Sequence, residues 1–169
     1  MTNKRGFFVP AIKDKEVLVS LMQKMYWLEL EMEQMNTWEA RIEMMDENLE
    51  ALEVLSHDSD RHGSIVEKWL TKANIQIPKD APKGLPRHIF DFEELSSPEI
   101  FSKIIKYEIL ALNAYKDMKN ADTDVIKALF EKEDDQEEFF EDLEQLIKDE
   151  EKHASICKKQ IGGFLKVKY

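Results

Sequence analysis

The sequence predicts an all-α fold: four long helices in an antiparallel bundle, with one long crossover between the second and the third. Composition is the first observation behind this. Gly and Pro occur five times each in 169 residues, while Glu, Lys, Leu, Met and Ile dominate and 43% of the chain is hydrophobic. Those are helix formers with enough apolar side chains for a core. The second observation is periodic: apolar residues recur three and four apart in four long stretches, the spacing of one helix face. The third is the clustering of four of the five prolines in NIQIPKDAPKGLPRHIFDFEELSSP, residues 74 to 98. That connection is too long for a hairpin and lets the next helix start at the far end of the bundle. The length fits a single domain over 1–169, with the bundle at about 15–160 and the crossover at about 74–98.

The first helix is predicted from about Asp14 to Met45, on Val17, Leu21, Leu28, Met35, Trp38, Ile42 and Met45, with no Gly or Pro to interrupt it. A short polar break, DEN at 46 to 48, makes a tight turn into the second helix, whose stripe is Leu52, Leu55, Ser59, His62, Val66 and Trp69 and fades near Ala73. The third helix begins near Ser97-Pro98, a serine cap before a proline at the first helical position, and ends near Lys119. Its stripe is Phe101, Ile105, Glu108, Leu112 and Tyr115. A short helix within 121 to 132 is capped by Asp122 or Thr123. The fourth long helix runs from about Asp135 to Gln160 through Phe139, Leu143, Leu146, Glu150, His153 and Cys157, and Gly162-Gly163 end it.

A net charge of -11 argues against nucleic acid and anionic membrane surfaces, which call for basic patches. The single cysteine, Cys157, allows no intrachain disulfide, and no apolar run reaches the roughly 18 to 20 residues a membrane span needs. Pro10 and the charges after it spoil a signal-peptide core in FFVPAI. These features predict a cytoplasmic protein. Phe7, Phe8, Val9 and the terminal GFLKVKY are the candidates for a homodimer contact.

Polar residues inside apolar stripes carry the functional signal. Glu150 and His153 lie on the stripe of the fourth helix, Ser59 and His62 on that of the second, and Glu108 on that of the third. In the first helix the stripe 17, 21, 24, 28, 31, 35, 38 turns Glu31 inward. Glu31 and His62 are nearly equidistant from the DEN break, which sets them level across the hairpin; Glu29, on the other flank of the stripe, is the alternative. An acidic E-x-x-H on a charged helix is by itself most often a solvated face. Four helices each bringing a carboxylate or imidazole to one depth is different, because an unpartnered buried charge costs several kcal/mol. Such groups satisfy one another or share a metal. His57 lies off the stripe with Glu53 as its surface partner, His88 has no context, and Cys157 has no base placed to make it a nucleophile.

Asp58-Ser59-x-x-His62 also repeats as Asp149-Glu150-x-x-His153, and Glu31 with Trp38 repeats as Glu108 with Tyr115. A chain reading Glu, then (Ser)-x-x-His, then Glu, then Glu-x-x-His resembles the ferritin-like superfamily, and within it the rubrerythrin-like diiron carboxylate proteins. The resemblance covers roughly residues 15 to 160 and rests on five or six positions. It implies Glu31 and Glu108 as terminal carboxylates, Glu150 as a bridging carboxylate, and His62 and His153 as imidazole ligands. It also implies that Asp149 orients His62 and Asp58 orients His153, fixing their tautomers. Tyr115 is a core phenol in need of a hydrogen-bond partner, and Glu31 across the bundle is one candidate.

Two departures from that family matter. Ser59 stands where the family carries its second bridging glutamate, so a second bridge falls to water, hydroxide or an exogenous anion. No CxxC pair is present, so the chain lacks the rubredoxin-type electron-transfer module. The expected function is a metal-binding protein with two iron ions or one, Mn or Zn being alternatives. It would act as an oxidase or peroxidase on Fe(II), O2 or H2O2. The rival is a non-catalytic bundle in which the same groups form a hydrogen-bond network or hold a structural metal; iron storage is a third reading.

Overall fold

The computed structural model describes residues 11–34 and 46–162, and among them it is all-helical, with five helices. They are α1 (Lys15–Glu33), α2 (Asp46–Lys72), α3 (Ser97–Lys119), α4 (Thr123–Leu129) and α5 (Glu133–Gly162). Three of the starts have a capping side chain. The Asp14 carboxylate accepts from the Glu16 N–H at 2.8 Å to open α1, and Asp122 accepts from Asp124 N–H at 3.0 Å to open α4. At α3 the cap is Ser96, one residue before the predicted one; its N–H donates to Glu99 Oε2 at 2.8 Å, half of a capping box. α2 ends where Asn74 takes a φ of 55° and Ile75 N–H reaches back to Leu70 O at 2.8 Å, a Schellman closure.

The long helices pack in a ring. α3 lies most extensively against α5 and α1 against α2, while α2–α5 and α1–α3 contacts close the circuit; α4 sits against α1. One contiguous core fills it, built on Leu18, Met22, Leu28, Leu52, Trp69, Phe101, Tyr115, Phe139 and Leu146. The Trp69 ring meets Phe139 edge-on at 4.7 Å, and its indole N–H donates to Asp142 Oδ2 at 2.9 Å, so the largest buried side chain keeps its polar atom satisfied. The connection between α2 and α3 buries Ile89 and Phe92 against the core. No helix among the described residues is long and apolar enough to cross a membrane.

The predicted stripes of α2 and α5 are buried at every position named for them. α1 differs. It stops at Glu33, α2 already begins at Asp46, inside the predicted DEN break, and the positions Met35, Trp38, Ile42 and Met45 lie outside the described residues. The buried face of α1 is Leu18, Met22, Met25, Leu28, Glu29 and Met32, one residue on from the predicted stripe, and Val17 is 52% exposed. Phe7, Phe8, Val9 and the terminal GFLKVKY also lie outside the described residues.

Candidate metal centre

Four helices bring their inward polar groups to one place. Glu29 from α1, His62 from α2, Glu108 from α3 and Glu150 with His153 from α5 are all at most 1% exposed. Glu150 lies between the two imidazoles: its Oε1 is 3.0 Å from His62 Nδ1 and its Oε2 is 3.6 Å from His153 Nδ1. Glu108 Oε2 is 3.2 Å from His153 Nδ1, and Glu29 Oε1 is 3.7 Å from His62 Nδ1. Both rings therefore turn Nδ1 toward the carboxylates, and they stack with centroids 5.4 Å apart. His62, Glu150 and His153 can each offer one ligand atom with all three within 4.8 Å of one another, a set that could hold a metal ion.

The outer ring nitrogens face aspartates from the opposite half. His153 Nε2 is 3.0 Å from Asp58 Oδ2, and His62 Nε2 is 3.5 Å from Asp149 Oδ2. Each aspartate is also braced by a cation: Arg61 sits 2.8 Å from Asp149 and 3.6 Å from Asp58, and Lys152 lies 3.5 Å from Asp58. The sequence reading named the aspartates and missed these cations. Their signal was in the repeat, since Arg61 and Lys152 each stand immediately before a core histidine in DSDRH and DEEKH.

Glu31 does not join the group. It is only half-buried, and its Oε2 accepts from the Ile89 N–H at 3.2 Å, tying the crossover to α1. Glu29 takes the inward place, because the α1 face is turned by one residue, roughly 100° of helix. Tyr115 O–H donates to Glu29 Oε1 at 2.6 Å, so the phenol's partner is Glu29 in place of the expected Glu31. Ser59, 1% exposed, lies on the same stripe as His62, and its Oγ has no partner. We expect Glu29→Gln to weaken Mn(II) binding at least about tenfold, since loss of even an outer contact to a metal ligand costs that much. Glu31→Gln should leave it within about twofold, and calorimetric titration showing the reverse would return the ligand role to Glu31.

The cluster sets the charge states. Burial opposes protonation of His62, but Glu29 and Glu150 outweigh it and push its pKa to about 10; His153, likewise opposed by burial, is pushed to about 11 by Glu108 and Glu150. Burial and the neighbouring Glu150 carboxylate hold Glu108 well above the carboxylate range. Burial acts the same way on Glu150, yet the two imidazoles overcome it and bring it to about 2. The metal-free core thus sets an ionised Glu150 between two imidazolium rings and keeps the proton on Glu108. Burial, then Glu29, pushes the Tyr115 phenol up, so it stays a donor. Burial, with Glu108 and Glu150 nearby, raises the Cys157 thiol too, which rules it out as a thiolate nucleophile at neutral pH.

A metal must displace those protons, because imidazole binds through a free lone pair. In the metal-free fold the histidines add stability that is complete below their ordinary 6.5 and is lost as pH rises through about 10 and 11. Metal affinity has the opposite sign. It should rise with pH between about 6 and 9, roughly tenfold per unit for each proton displaced. Calorimetry in two buffers of different ionisation enthalpy reads the protons released, and an affinity independent of pH would contradict the charge states above.

Comparison of the chain with protein-family models, with curated proteins and with solved structures finds no match in any of the three.

Proposed function

We propose that this chain is a ferritin-like protein of the rubrerythrin-like diiron carboxylate kind, holding iron through Glu29, His62, Glu108, Glu150 and His153 and acting as an oxidase or peroxidase toward Fe(II), O2 or H2O2. Residue pairs support an antiparallel arrangement, since numbers fall on one helix as they rise on its neighbour. Ser56 meets Glu33 and His62 meets Glu29; Lys116 meets Glu151 and Lys119 meets Glu144; Arg61 meets Asp149 and Lys68 meets Asp142. The α2–α3 crossover supports the same reading.

One observation carries the proposal. Among the described residues, every buried side-chain N or O atom without a hydrogen-bond partner lies in this cluster except Trp27 Nε1; the others are Glu29 Oε2, Ser59 Oγ, both nitrogens of His62, Glu108 Oε1 and both oxygens of Glu150. His62 Nδ1 and Glu150 Oε1 are close enough for an ion pair but are not aligned as a hydrogen bond. A closed hydrogen-bond network, the non-catalytic rival, would satisfy these atoms. Ligands awaiting a cation leave them as they are. Three carboxylates and two imidazoles, with no thiolate among them, suit Fe, Mn or Zn.

Iron bound there would supply one-electron redox chemistry toward oxygen species. The chain's own residues do the rest. Asp58 is hydrogen-bonded to His153 Nε2 and Asp149 faces His62 Nε2 at 3.5 Å, a placement that favours the Nε2–H form and leaves each Nδ1 lone pair facing inward. Tyr115 fixes one oxygen of Glu29 and leaves the other free. Leu55 and Val66 on α2, and Leu146 on α5, are fully buried on the same stripes as the ligands, one or two turns away. Anaerobic loading of the full chain with Fe(II), followed by O2 in one sample and H2O2 in another, tests the activity. Consumption of the oxidant with growth of a near-ultraviolet ferric absorption band is expected. Bound iron that stays ferrous against both oxidants would reduce the site to a structural one.

A further inference from the structure

Resting on the metal-binding reading above, we propose that a small monocarboxylate of formate or acetate size is the fourth carboxylate of the centre, held by a hydrogen bond from Ser59 Oγ. Ser59 stands in α2 where Glu150 stands in α5, directly after an aspartate and three residues before a histidine. Serine Oγ takes the place of the glutamate Cγ, so glutamate exceeds serine by the three heavy atoms of a carboxylate, which sets the size of the ligand at formate, with acetate one methyl larger.

The hydroxyl itself points the same way. A serine or threonine inside a helix commonly bonds the carbonyl four residues back. Ser64 does so to Asp60 O at 3.1 Å and Thr71 to Glu67 O at 2.9 Å, while Ser56 donates to Glu33 O on α1 at 2.5 Å. Ser59, in the same helix, makes no such bond, although it is 1% exposed and shares its core with the unpartnered oxygens of Glu29, Glu108 and Glu150. It is a buried donor without an acceptor, set among acceptors that a cation would claim.

Charge supplies the second, independent reason. Two divalent ions bring four positive charges, and Glu29, Glu108 and Glu150 return three once the imidazoles are neutral. The outer aspartates do not make up the difference, because Asp149 is matched by Arg61 and Asp58 by Lys152. One positive charge is left among side chains at most 1% exposed, a costly arrangement in a low-dielectric core. A monocarboxylate cancels it, and its several lone pairs serve both a cation and the Ser59 donor. Water cancels nothing. Hydroxide cancels the charge, and the experiment separates it from a carboxylate.

The test titrates Mn(II) into the full metal-free chain in a carboxylate-free buffer. Sodium formate is present or absent at matched ionic strength, and acetate serves in a repeat. Formate should raise the affinity for the second ion by about tenfold or more, with less enhancement in Ser59→Ala and none in Ser59→Glu, which carries its own carboxylate. Carbon-13 formate should shift a carboxylate stretching band of the loaded wild type. Two ions bound equally well with and without formate would overturn this proposal in favour of hydroxide or water, and leave the metal-binding reading standing. No ion bound by the wild type under either condition would remove both.

Discussion

Glu150→Ala lowers the stability of the metal-free protein by about 3 kcal/mol, the lower end of what losing one partner of a buried ion pair costs, and abolishes measurable metal binding. Among the described residues Glu150 is the one carboxylate within reach of both imidazoles, and it acts with Glu29 on His62 and with Glu108 on His153 to keep them protonated. Its removal strands the charge on His62 and His153. Glu108 limits the damage. Its proton is held by burial and by Glu150 beside it, so once Glu150 is gone Glu108 ionises and takes over His153, while His62 retains Glu29 at 3.7 Å. A loss toward the upper end of the range, roughly 5 kcal/mol, would mean that Glu108 does not take up the charge. Glu151→Ala is the control: one residue along and on the exposed face, paired with the half-exposed Lys116, it should change stability by no more than about 0.5 kcal/mol. Urea denaturation at pH 7 in the presence of chelator measures both, and equal effects would show that the Glu150 position carries no special electrostatic role.

Adding metal should produce the second large effect. A ligand that binds only the folded chain stabilises it by about 2.7 kcal/mol at one hundred times its dissociation constant. In a chain of this length each kcal/mol moves the unfolding midpoint by roughly 2–4 °C, so one ion raises it by about 5 to 11 °C and two independent ions by about twice that. Chelation reverses the shift. Replacing His62 and His153 together by leucine should abolish the shift, and the double variant without metal should lose little, because apolar residues replacing a buried charge cluster often leave stability unchanged or improved. A wild-type midpoint that ignores Fe(II), Mn(II) and Zn(II) alike would mean that no cation binds preferentially to the folded state.

The sequence was legible where one helical face was plainly better than its neighbours. In α5 the run Phe139, Leu143, Leu146, Glu150, His153, Cys157 is apolar but for the two ligands, and α2 reads as cleanly around Ser59 and His62; both stripes are buried at every one of those positions. α1 has a wider apolar arc. Val17, Leu21 and Leu28 make one plausible face, and Leu18, Met22, Met25 and Met32 make the next one round. Lys24 was the discriminating residue, since the first face must bury it and the second need not. Depth could not separate the two, because Glu29 and Glu31 differ by only half a turn along the helix. In α3 the deep positions include Ala111 and Ala114, with Leu112 only half-buried; alanine gives periodicity little weight yet fits where helices approach closely. The bracing of Asp149 by Arg61 and of Asp58 by Lys152 crosses between helices far apart in sequence, and its one trace in the chain is the basic residue that stands before each core histidine.

The most direct measurement is the number of metal ions retained per folded chain. The full protein would be loaded anaerobically with excess Fe(II), passed through gel filtration and analysed for iron, beside the variant carrying His62→Leu and His153→Leu. Two irons per wild-type chain and none on the variant is the result expected of Glu29, His62, Glu108, Glu150 and His153 acting together. A folded wild type that retains neither iron nor, in parallel loadings, manganese or zinc would contradict the assignment of this cluster as a metal centre.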